Sequence, residues 1–304
     1  MHAVDKRRVL IFLALAYGIA WGMALVVYLT GGLVSSPILV PALNLSLASL
    51  LIALGVMWAP ALAHVLTRVI TREGWRDVGL RPRLRRGWPY WIAAWFLPGI
   101  LTIIGVVAYY LVFPEQFDPT LQRLSALLPP EYSVDPWVIV AVQTVQALLI
   151  SPLINALFTF GEEFGWRGYL QPRLMPLGGR RAILVVGIIW GLWHAPIIAM
   201  GHNYGLAYPG APWTGILMMT GATILFAALL GWVTVRGGSV WPAVIGHAAI
   251  NGMAAIGVLF LQGEPNPLLG PTAVGAIGSA GFALMAALLF VSRGALAPRG
   301  EGEV

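Results

Sequence analysis

The chain has 304 residues, 59% of them hydrophobic and only 10% charged, with a formal charge of +6 and no cysteine. Soluble domains carry about 25% charged residues, so this composition excludes an ordinary soluble fold and predicts a polytopic membrane protein. The absence of cysteine excludes disulfides, thiolate metal sites and a cysteine nucleophile.

Residues 9–29 form an apolar run directly after Lys6-Arg7-Arg8. The run exceeds the roughly 7–15 apolar residues of a signal peptide and is long enough to cross a bilayer, so it reads as a retained first helix. A turn-rich connection follows, then a second span at 43–70 with a kink expected near Pro60, which removes a helix hydrogen bond. The loop 71–88 carries Arg72, Arg76, Arg81, Arg83, Arg85 and Arg86. A third span covers 89–113. The polar loop 115–135 holds four acids, Glu131 among them, and the single base Arg123. Further spans are expected at 136–160, 182–200, 214–235, 240–261 and 272–291, and the tail carries Arg293 and Arg299.

Threaded with the N-terminus in the cytoplasm, every basic residue falls on or near the cytoplasmic side except Arg123, as the positive-inside rule requires. The net charge is therefore explained by topology, and no nucleic-acid partner is expected. The expected fold is an all-α membrane helix bundle of about eight transmembrane helices. Residues 1–304 form a single domain with both termini cytoplasmic. Short loops point to a prokaryotic cytoplasmic membrane.

Of the twelve acids in the chain, only Glu162 and Glu163 lie in or against an apolar segment. Charge in or beside lipid is expensive and marks a functional site by default, although a structural salt bridge would look the same. In a continuous helix Glu163 and Arg167, four apart, share a face and can pair in the favourable order. Glu162 lies about 100° round the helix and is left over, available as a general base. Trp190 and His194 are also four apart in the fifth span, and His247 and Asn251 in the seventh. One Glu, two His and one Asn converging in a bundle core would make a reaction site. Counting along the spans, however, puts Glu162 at the cytoplasmic end of the fourth and His194 in the outer half of the fifth. A tilt, a break at Gly191 or Pro196, or a later start to the fifth span is needed to bring the two level.

These residues resemble a family. Glu162-Glu163-x-x-x-Arg167, Trp190-x-x-x-His194 and His247-x-x-x-Asn251 are similar, in order, to the three motifs of the CPBP intramembrane proteases. That family includes type II CAAX prenyl endopeptidases and bacteriocin-processing or immunity proteins. The specific resemblance covers about 140–260. The second motif often opens with Phe, where this chain has Trp190. The resemblance implies hydrolysis of a peptide bond in a membrane-associated, CAAX-type or other, protein or peptide. Glu162 and His194 would activate water, His247 and Asn251 would form the oxyanion site, and Glu163 with Arg167 would support them. It leans towards a metal-free, glutamate-dependent mechanism with no cofactor. Glu162, His194 and His247 could instead supply three zinc ligands with an open position for water. The expected partners are the bilayer and a peptide or lipidated-protein substrate. The rival functions are a non-catalytic scaffold or immunity protein, and a transporter using Glu162 as a proton carrier.

Other polar residues have plainer readings. His64 and Arg68 would form a snorkelling pair. His202 and Asn203 read as solvated loop residues, with the rim of an entrance as the alternative, and Asn155 as a hydrogen bond between helices, with a place on the cavity as the alternative. Trp166 is a candidate for substrate contact.

Overall fold

The computed structural model describes residues 4–126 and 134–297; Glu131 and Arg299 lie outside them. The fold is an all-α bundle, as the composition requires, since helices satisfy every backbone polar group within their own segment. The long helices are α1 (Lys6–Leu29), α2 (Leu47–Ile70), α3 (Leu84–Val112), α4 (Pro136–Leu149) and α5 (Ser151–Leu177). They are followed by α6 (Gly179–Trp193), α7 (Ala195–Ala199), α8 (Trp213–Gly237), α9 (Trp241–Met253) and α10 (Ala280–Val291). Among the described residues, five helices are long and apolar enough to cross a membrane, α9 being counted with its extension to Phe260. The pair α4–α5, bent by 46°, makes a sixth if it is one span. Each remaining predicted segment is helical but shorter: the fifth is interrupted at His194, and the eighth is a 12-residue helix.

Several boundaries differ from the sequence reading, each for a local reason. Residues ahead of α2 fold back as a small antiparallel hairpin, Ile38–Val40 against Leu45–Ser46. The break expected near Pro60 is a π-turn over Ile52–Val56, closed by Met57 N donating to Ile52 O at 2.9 Å, with α-helix resuming at Ala59. The helix containing Glu162 runs on through a second π-turn, Trp166–Leu170. The eighth helix begins at Ala280 rather than near 272, because Pro271, Gly275 and Gly278 interrupt the approach to it. Gly278 also lies against α3, where a Cβ on Gly105 would meet its carbonyl.

The buried face of α1 is a single stripe, Val9, Phe12, Ala16, Ala20, Ala24 and Val27, at the three- and four-residue spacing of one helical face. It packs on a core centred on Trp166, Trp190, Trp193, Phe226 and Phe282. Two glycine pairs bring backbones together around the site. A Cβ on Gly161 or Gly165 would strike the Met57–Pro60 backbone of α2, and one on Gly187 or Gly191 would strike Ile224 or Thr220 of α8. Small residues four apart are the usual device for such close helix packing in membranes.

His64 and Arg68 do pair, but they are buried rather than snorkelling. Arg68 Nε donates to His64 Nε2 at 2.7 Å. The other ring nitrogen, Nδ1, therefore carries the proton and donates to Phe164 O at 2.8 Å, tying α2 to the helix that holds Glu162. The arginine-rich loop is fastened nearby. Glu73 pairs with Arg173 and accepts from Thr71 Oγ1 at 2.7 Å and from Tyr169 Oη at 2.8 Å. Burial pushes the Glu73 carboxyl upward, but these hydrogen bonds and the Arg173 charge outweigh it and hold the group below the usual carboxylate range.

Candidate active site

Glu162 and Glu163 are both buried near the point where α5 passes into its π-turn; such turns are frequent at functional sites. The two acids take different partners. Glu163 Oε1 accepts from Arg167 Nη1 at 2.9 Å and from His247 Nδ1 at 2.8 Å. Glu162 Oε2 accepts from the indole N–H of Trp190 at 2.7 Å. Trp190 also lays its ring over the Arg167 guanidinium, 4.6 Å from the ring centroid, and stands edge-on to the His247 ring at 5.1 Å. It is thus a shared wall between the two carboxylates.

His194 reaches this site because its helix breaks there. Pro196 has no N–H to continue the ladder. Helix α6 therefore ends at Trp193, His194 N turns tightly onto Gly191 O at 3.1 Å, and α7 starts at Ala195. The Trp193 carbonyl takes the indole N–H of Trp21 from α1 at 3.1 Å. The break falls between the two positions the sequence offered, Gly191 and Pro196. His194 Nδ1 lies 2.8 Å from Trp190 O. A carbonyl can only accept, so Nδ1 holds the proton and Nε2 remains a base.

Glu162, Trp190, His194, His247 and Asn251 line one cavity of about 370 Å³. Much of the rest of its wall is apolar, with Val56, Met57, Ile197 and Phe226 among the lining residues. Glu163 and Arg167 are not among the cavity-lining residues; they stand behind it, and Glu163 reaches it only by holding His247. Asn155 bonds between helices, donating to Ala248 O at 3.3 Å. Trp166, in contrast, is wholly buried against Phe12 and Trp193 and takes no part in the cavity wall. His202 and Asn203, read from sequence as solvated loop residues, also line the cavity. The Met200-Gly201 turn that aims them was visible only as a glycine after a short apolar run.

Among the described residues no group of three or more His, Asp or Glu side chains is placed to hold a metal ion. Glu162, His194 and His247, the three ligands the sequence offered for zinc, are not placed as such a group.

Residues 137–253 match the family described as type II CAAX prenyl endopeptidase Rce1-like, and this segment contains all three motifs. With its long apolar helices, the chain is an integral membrane protein. A curated relative is the CAAX prenyl protease 2 of Methanococcus maripaludis, 30% identical over 96 residues. That alignment covers 30% of this chain and 34% of the relative, so the chain spans about a third of the length of the curated relative it matches.

Proposed function

We propose that this protein is a membrane endopeptidase that hydrolyses a peptide bond in a membrane-associated protein or peptide. The names of its relatives make a prenylated CAAX-type tail the first substrate class to test. The observation that carries the reading is that Glu162, His194, His247 and Asn251 line one largely apolar cavity. In the proposed reaction Glu162, with the free Nε2 of His194 beside the same space, removes a proton from water. The resulting hydroxide attacks the scissile carbonyl carbon. The oxyanion is held by His247 Nε2–H and the Asn251 amide, such donors being worth about 3–4 kcal/mol in a dry site. To donate from Nε2 while Nδ1 is on Glu163, His247 must carry both protons, and the Glu163 carboxylate is the counter-charge. Collapse breaks the C–N bond, and the proton taken from water passes to the leaving amine. The route uses no metal and no acyl-enzyme. The short connections support a prokaryotic cytoplasmic membrane as its setting.

The test is cleavage of farnesylated and unmodified membrane peptides by purified wild type, Glu162→Gln and His194→Ala. Wild-type cleavage that both changes abolish, with thermal stability retained, is the expected outcome. A well-folded wild type that cleaves nothing in a broad panel would overturn the reading. Stoichiometric zinc together with chelator-sensitive cleavage would overturn its metal-free form.

A further inference from the structure

The loop after α7 presents two side chains to the cavity that the reaction above does not use. Gly201, at φ +97°, closes α7 with a paired turn: His202 N donates to Ile197 O at 3.0 Å and Gly201 N to Ile198 O at 2.9 Å. This is the Schellman arrangement, which fixes the direction of the chain as it leaves a helix. Asn203 follows in the left-handed region at φ +66°, a conformation uncommon for residues other than glycine. Tyr204 then anchors the loop, its hydroxyl donating to Val274 O at 2.9 Å, and packs in a cluster with Ile198, Tyr208 and Met219. The backbone that carries His202 and Asn203 is therefore fixed in direction.

Both side chains are nearly free of protein partners. Among the described residues the His202 ring has no hydrogen bond, and the Asn203 amide makes only a 3.8 Å contact to the sulfur of Met219. Burial holds the His202 imidazole below the usual histidine value, so it is neutral near pH 7. Neither Lys nor Arg is among the described residues lining the cavity, and Glu162 is its one carboxylate. The one cation that the proposed reaction places there, His247, is already paired with Glu163. An apolar polypeptide brings a different demand: its side chains suit the apolar wall, and each of its peptide groups needs a donor or an acceptor. An amide and a neutral imidazole each supply both.

We propose that His202 and Asn203 are substrate-contacting residues that accept hydrogen bonds from main-chain N–H groups of the bound peptide within the active-site cavity. This assignment rests on the endopeptidase reading. Its test uses Glu162→Gln protein in detergent, so that a fluorescent peptide cleaved by the wild type stays intact while its binding is measured. Asn203→Gly keeps the left-handed backbone without strain and removes only the amide; His202→Ala removes the ring. Each should weaken binding about 3- to 10-fold, the scale of one hydrogen bond, with unchanged thermal stability. In a series of peptides N-methylated at one backbone nitrogen at a time, one position should cost the same factor in the Glu162→Gln parent and nothing further in Asn203→Gly or His202→Ala. Variants that bind as tightly as the parent, or N-methyl costs that simply add, would overturn the assignment while leaving the endopeptidase standing. A wild type that cleaves no peptide overturns the endopeptidase reading itself.

Discussion

Glu163 Oε1 is shared between an arginine four residues away and a histidine 84 residues away. Replacing Glu163 by Gln keeps an acceptor for His247 Nδ1 but removes the counter-charge to Arg167. We expect kcat to fall at least about tenfold with KM little changed, the pattern of a group that orients a reacting one. Steady-state kinetics of the purified variant checks this. Asn251→Ala should lower kcat by about 10²–10³, the cost of one oxyanion donor. Glu73 gives a prediction about pH. Its carboxyl titrates below the usual range in the folded protein, so its contribution is fully present above the unfolded value of about 4.3 and is lost as pH falls through the lower folded value. Glu73→Gln should therefore lose about 1–3 kcal/mol at pH 7, and the gap to wild type should narrow in thermal melts as pH falls below about 4.3. At this scale the sequence was readable where partners lie one helical turn apart, as with Glu163 and Arg167. It did not show which side chains bond across helices, as Glu162 does with Trp190 and Glu163 with His247. Trp190 stands where the resembled motif often has Phe, and its indole N–H is the donor to Glu162, which a phenyl ring cannot provide.

The elements that position these residues depend on close backbone contact. Gly165 has the Pro60 main chain against it, so Gly165→Val should cost at least about 1–3 kcal/mol by overpacking. It should also reduce activity without touching a reacting group, read as a lower melting temperature beside reduced turnover. Apolar run length revealed the helices because lipid imposes it, and Pro196 marked a break near His194. The π-turns, the bend between α4 and α5 and the late start of α10 were not readable in the same way. Each is a local departure within an apolar stretch that hydropathy, averaged over a span, passes over. For His202 and Asn203 the sequence showed only a polar pair in a loop: Asn203 is exposed and His202 half-buried, and that both also line the cavity depends on how the loop folds.

For the molecule as a whole, the arrangement of basic residues proposes a direction of insertion. The natural absence of cysteine makes single-cysteine variants clean reporters of it. Arg76→Cys should label only from the cytoplasmic side of sealed vesicles and Glu115→Cys only from the other; labelling of both from one side would reject the eight-span threading. The buried pair at Glu163 also has a consequence in time. A ribosome adding about 5–20 residues per second needs about 4–17 s to travel from Glu163 to His247. Throughout that interval the acid must enter the bilayer without its histidine, whereas Arg167 follows it within about a second. Of the two partners of Glu163, only Arg167 has been synthesised during that interval. Pulse-labelled Arg167→Ala should insert into membranes less efficiently than His247→Ala.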